Sequence, residues 1–219
     1  LSTETPEEAV KSINEVAAES RQIISFMDDT INTFKNFFKL KSSISSFSIL
    51  EAVKQTLHIL DAKISKNFVS VTFRYKTSES KPFVKVTNGA EKNLNKIADF
   101  YTTGSMNDFQ QVVMNLVSNA VDAVSERKYH EKDFKTGKIV VNVINRREFF
   151  EIHVEDNDTG IPEDIKPKLF NPYFTTKKDE GTGIGLYICR LILENKFLGR
   201  ISVGRKKQGA KFIVEIPKF

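Results

Sequence analysis

The sequence predicts an α+β layer sandwich preceded by one long amphipathic helix. Three observations carry this reading. Short runs with period-two alternation recur between polar and glycine-bearing turns through the later part of the chain. Helical patterns stand among them, and the clearest places Val113, Leu116, Val117, Ala120 and Val124 on one face. The opening stretch has no strand pattern and instead repeats apolar positions in steps of three and four.

That opening stretch, 7–41, reads as a single helix. Its seam is Ile13, Val16, Ser20, Ile23, Met27, Thr30, Phe34 and Phe37, and a second row, Ala17, Ile24, Ile31 and Phe38, recurs every seven residues. A stripe this wide suits a helix bundle better than a two-stranded coil. Pro6 sits in the first turn with Thr5 as N-cap. The serine-rich stretch 41–48 reads as a linker. Next come a helix over 49–65, strands over 68–75 and 83–87, and a helix over 107–124. A hairpin joins 138–145 to 149–155 across polar residues. A helix over 184–195 and a closing hairpin, 200–204 with 210–216, complete the chain. The division expected is therefore 1–45, a bundle helix with its linker, and 46–219, the globular domain.

Composition narrows the classes. The 219 residues contain no apolar run of about 18, so no membrane-spanning helix is expected in this stretch, and no signal peptide is visible. Cys189 is the only cysteine, which fits a reducing compartment and a cytoplasmic location; on a helical pattern it reads as a core residue. The chain starts at Leu1 without Met and is expected to be cut from something longer, which leaves a membrane-anchored parent open. The net charge of +5 suits an anionic ligand, but its basic residues are dispersed, which argues against nucleic acid.

The chemistry lies in four segments in fixed order: NLVSNAVDA at 115–123, DNDTGIP at 156–162, LFNPYFTTK at 169–177 and GTGIGL at 181–186. Asn115, Asn119 and Asp122 fall on one helix face, distinct from the apolar one. A neutral amide oxygen is a hard ligand, suited to Mg²⁺ that already carries phosphate oxygens. Alone, such asparagines would more often be a solvated face. Asp156 ends a strand, where a carboxylate can accept a hydrogen bond from an exocyclic amine and so select adenine. Alone, it reads equally as an Asx turn closing the hairpin. Gly181, Gly183 and Gly185 precede a helix, whose free N–H groups and dipole favour phosphate. Lys177 and Lys178 lie just upstream.

Taken together, these four segments resemble the catalytic domain of sensor histidine kinases, members of the GHKL ATPase superfamily. The resemblance implies a Bergerat-type α/β sandwich, a mixed and mostly antiparallel sheet packed on helices. It implies ATP and Mg²⁺ as ligands, with Asn119 on the metal, Asp156 at the adenine with Gly160 in the same box, and Phe170, Phe174, Gly181, Gly183 and Gly185 in a lid; Lys177, just upstream of the glycines, could reach phosphate oxygens, or is equally a solvated lysine. The run MDDTINTFKNFFK at 27–39 resembles the second helix of the dimerisation and phosphotransfer bundle of these kinases. That implies a homodimeric parent and a response-regulator receiver domain as partner. None of His58, His130 and His153 stands on the long helix, so the phosphoacceptor histidine is expected elsewhere.

Three departures matter. Asp158 stands where the family's box carries a glycine, and a left-handed backbone is expected there, a conformation Asp tolerates. Asp122 fills a position where many of these kinases carry a lysine. Asn115 stands where hydrolysing relatives carry a glutamate base. An amide cannot take a proton at neutral pH, so Asn115 is assigned to the catalytic set of a transferase rather than a hydrolase. A GHKL-type ATPase and a degenerate nucleotide-binding or scaffolding module remain the alternatives, the second favoured by Asp158.

Overall fold

The computed structural model describes residues 16, 17, 20, 43–86, 94, 97–131, 133–134, 136–176 and 182–218. The helix expected over 7–41 lies outside these residues except at three positions, all helical, of which Val16 is exposed.

Six strands form one sheet in the order β3-β2-β5-β6-β8-β7. They are β2 (Val69–Lys76), β3 (Val84–Lys85), β5 (Gly137–Asn145), β6 (Phe149–Asp156), β7 (Arg200–Val203) and β8 (Lys211–Pro217). Only β2 and β5 run parallel; every other neighbour is antiparallel. The sheet is thus mixed and mostly antiparallel, as expected.

Alternation decides its two faces. Val141 pairs with Val154, which pairs with Phe212; Val143 pairs with Ile152, which pairs with Val214. All six are buried in one core with helices α1 (Ile49–Ile59), α3 (Met106–His130) and α4 (Gly185–Lys196). On the other face Asn142 pairs with His153, flanked by Glu151 and Glu155. His153 Nε2 lies 3.3 Å from Glu151, yet burial holds its pKa below the usual histidine value. It is a scaffold residue, as its strand position implied.

Helix α3 is the spine of the domain. Ser105 caps it by accepting a hydrogen bond from the Asp108 N–H at 3.2 Å. Phe109, Val112, Leu116, Val117, Val121 and Val124 are all essentially inaccessible. Near its start, Asp108 pairs with Lys196 of α4 at 2.9 Å, tying the two helices at one end.

Four elements differ from expectation. The helix over 49–65 breaks at Leu60 into α1 and a short α2 (Asp61–Lys66). The buried stripe Val53, Thr56, Leu60 and Ile64 nevertheless runs on across the break, with Ile59 exposed beside it. Residues 45–48, read as linker, form β1 (Ser45–Ser48), antiparallel to β4 (Tyr101–Gly104). Its Phe47 ring is buried, 5.7 Å from that of Phe109 and 6.4 Å from that of Phe197. The strand expected over 83–87 shortens to a two-residue edge, and α3 extends past 124 to His130.

Phe109 touches both neighbours of this aromatic trio, at 5.7 and 6.3 Å. Phe109→Ala is expected to destabilise the domain by about 3–5 kcal/mol. Urea unfolding would show this as a lower midpoint at unchanged slope.

Candidate active site

A cleft of about 380 Å³ opens between the middle of α3, the end of β6 and the segments 169–176 and 182–186. Asn115, Asn119, Asp156, Gly160, Phe174, Gly183 and Gly185 all line it. The four separated sequence segments therefore converge on one cavity of ligand size. Lys177 and Gly181 lie outside the described residues. Phe170 does not line the cleft. It is half-buried, with its ring edge-on to that of Phe212 at 6.5 Å, and it is Phe212 that forms the wall.

Asp156 closes β6 and is only 3% exposed. Its Oδ1 accepts two backbone hydrogen bonds, from the Asp158 N–H at 3.0 Å and the Ala210 N–H at 2.9 Å. The first is an Asx turn, so the structural reading of this residue and the ligand-binding one coexist. Burial raises the carboxyl above its ordinary range, partly offset by these two donors. Because Oδ1 carries the scaffold, Oδ2 is the oxygen left for a ligand among the described residues.

The left-handed backbone expected at Asp158 is not found; the Asx turn supplies the bend instead. The positive φ falls two residues later, at Gly160 with φ +98°. Burial raises the Asp158 carboxyl too, with Arg127 opposing it.

The expected β7–β8 hairpin completes this corner, a part in the site that sequence reasoning did not give it. Gly209, at φ +84°, passes so close that a Cβ there would lie 2.0 Å from the Asp156 carbonyl oxygen. The signal in the sequence was one glycine, separated from Asp156 by more than fifty positions.

At the opposite end, the first turn of α4 faces the cleft. Its N-cap, Ile184, offers no side-chain hydrogen bond, so the helix's leading N–H groups are not capped from within. Gly183 (φ +64°) runs against the backbone of Tyr173: a Cβ would meet that carbonyl carbon at 2.4 Å. Tyr173 itself is left-handed, at φ +65°. From α3, Asn115 Nδ2 donates to the Gly185 carbonyl oxygen at 3.4 Å and makes a weak contact of 3.6 Å to Cys189 Sγ. Asn115 thus helps position α4. Cys189 is fully buried and its thiol is pushed up to about 12, which keeps it protonated and inert. Asn119, one turn on, makes no side-chain hydrogen bond among the described residues, which suits a ligand role.

Residues 104–219 match the family of histidine kinase-, DNA gyrase B- and HSP90-like ATPases. The chain belongs to that family. Within it, the ATPase domain is of the sensor-histidine-kinase kind. It is 35% identical over 111 residues to the sensor protein TdiS of Thauera aromatica, covering 50% of this chain and 19% of that protein. It is 28% identical to the catalytic domain of histidine kinase ThkA, with a TM-score of 0.61, covering 80% of this chain and 96% of that one. The fold extends over 99% of the chain, at 24% identity and a TM-score of 0.62, to 53% of the ThkA chain crystallised with the response regulator protein TrrA. The chain spans only 12% to 20% of the length of the first curated relatives it matches. Among the described residues no helix is long and apolar enough to cross a membrane.

Asp156→Asn keeps an oxygen for both backbone donors and removes a buried charge. Because the folded carboxyl titrates above its ordinary value of 3.8, its protonated form favours folding, and that contribution is lost as pH rises through the folded pKa. The variant's thermal midpoint should therefore equal the wild type's in acid and exceed it at neutral pH, while its preference for ATP over GTP falls. In Gly183→Ala, the clash with Tyr173 should weaken ATP binding by about tenfold or more in calorimetric titration. The same backbone clash at positive φ should lower the unfolding midpoint as well.

Proposed function

We propose that the domain binds ATP with Mg²⁺ and transfers the γ-phosphoryl group to a histidine nitrogen carried on a separate helix of a two-component sensor kinase. The observation that carries this reading is the convergence on one cleft of an amide-bearing helix face, a buried strand-end carboxylate and a glycine-lined helix start. The donor set fits the ligand. Asn119 would hold the metal through its amide oxygen, and Asp156 would accept from the adenine amine. Gly183 and Gly185 let phosphate approach the α4 N-terminus, and Phe174 would belong to the lid, together with Lys177 and Gly181. When bound, the metal supplies charge neutralisation on the phosphates. The chain's own residues orient and enclose the nucleotide.

In the step proposed, a P–N bond to the histidine forms as the bond to the leaving ADP oxygen breaks. The amide at Asn115 favours this over hydrolysis, since it offers water no base. Its contact with α4 supports a positioning part in that step. The division into a bundle helix at 1–45 and a catalytic domain at 46–219, a homodimeric parent and a response-regulator receiver domain as phosphate acceptor complete the reading. The ThkA complex with its response regulator supports that partner. A second reading, a nucleotide-binding module without catalysis, is favoured by the acidic Asp158 in the wall.

The deciding measurement mixes the chain with Mg-ATP and a histidine-bearing bundle helix of its parent. Acid-labile phosphate on the helix is expected; binding without transfer would favour the module. Asn119→Ala should abolish the metal-dependent part of ATP affinity, and an unchanged affinity would remove Asn119 from the metal.

A further inference from the structure

The cleft has an electrostatic problem. Its described wall carries three carboxylates, Asp122, Asp156 and Asp158, and no lysine or arginine. A polyphosphate should be repelled from such a wall. Asp156 and Asp158 are faced by cations from outside the lining: Lys206 hydrogen-bonds to the Asp156 carbonyl oxygen, and Arg127 acts on Asp158. Asp122 stands on the same face of α3 as Asn119, three residues along, and is answered by a direct ion pair. Lys63, on the short helix α2, reaches across to place its Nζ 2.6 Å from Asp122 Oδ1 and 2.5 Å from Ser118 Oγ. Lys63 is not itself part of the wall.

We propose that Lys63 is a positioning residue for the phosphate end of this cleft. It draws the Asp122 carboxylate to the α2 side and offsets its charge, leaving the Asn119 amide oxygen for the metal that carries the phosphates. The inference rests on the reading of the cleft as a nucleotide site. Burial of the neighbouring Ile64 seats α2 against the core, and from there Lys63 spans to Ser118 and Asp122 of α3. Both partners are about one-third exposed, so the pair adds little to stability; its effect is on the field felt by an anion.

The test is calorimetric titration of the whole chain with Mg-ATP and with adenosine, which shares the base but carries no phosphate. Lys63→Met should weaken Mg-ATP binding about tenfold while adenosine binding stays within about twofold. Lys63→Arg should keep most of the affinity, and Asp122→Asn added to Lys63→Met should restore it. Asp122→Asn alone should tighten Mg-ATP, because it leaves the Lys63 charge uncompensated; this variant carries the test if Lys63→Met fails to fold. An unchanged Mg-ATP affinity in Lys63→Met, an equal loss for ATP and adenosine, or no rescue by Asp122→Asn would overturn the assignment. A wild-type chain that binds neither ligand would instead overturn the nucleotide reading beneath it.

Discussion

One carboxylate oxygen organises this domain's functional end. Asp156 Oδ1 gathers the N–H of its own turn and the N–H of Ala210, more than fifty residues away. That pins the end of β6, the turn to Gly160 and the β7–β8 hairpin into one corner. Two glycines with positive φ, Gly160 and Gly209, let the backbones meet there. Burying an acid is costly, and the raised pKa of Asp156 records it. The cost is tolerated because the same side chain closes the scaffold and presents its second oxygen to the cleft.

The other end of the cleft is built by close approach rather than by charge. Gly183 lies against the Tyr173 backbone, and Asn115 bonds the first turn of α4 to α3. Two segments distant in sequence therefore share one wall of the cleft that Asn119 also lines. The acid-rich character of that wall is moderated from outside, through Lys63 on a helix that contributes no lining residue.

Most of the fold was legible because its strands alternate and its helices keep their period. The hairpin β5–β6, the closing hairpin and α3 were each placed by pattern alone. What escaped were features decided by packing. Phe47 among serines reads as linker until its ring meets Phe109 and Phe197. The break at Leu60 carries no glycine or proline, and the buried stripe Val53, Thr56, Leu60 and Ile64 runs through it unchanged, so no pattern marks it. In the site, the polar residues were legible through their motifs. Phe170 was assigned to the lid but packs on Phe212, because motif membership does not say which aromatic faces the cavity. Asp158 was expected to take a left-handed backbone, yet its N–H bonds Asp156 and the positive φ falls on Gly160, which adopts it without strain. Ala210 and Gly209 were invisible, since no local pattern links them to the acid they hold.

The pairing of β1 with β4 changes how force can enter the domain. Ser48, the last residue of β1, is also the N-cap of α1, so no slack separates strand from helix. Phe47 beside it leans on Phe109, in the first turns of the helix that carries Asn115 and Asn119. A twist arriving from upstream would load an aromatic lever seated on that helix, rather than dissipate in a tether.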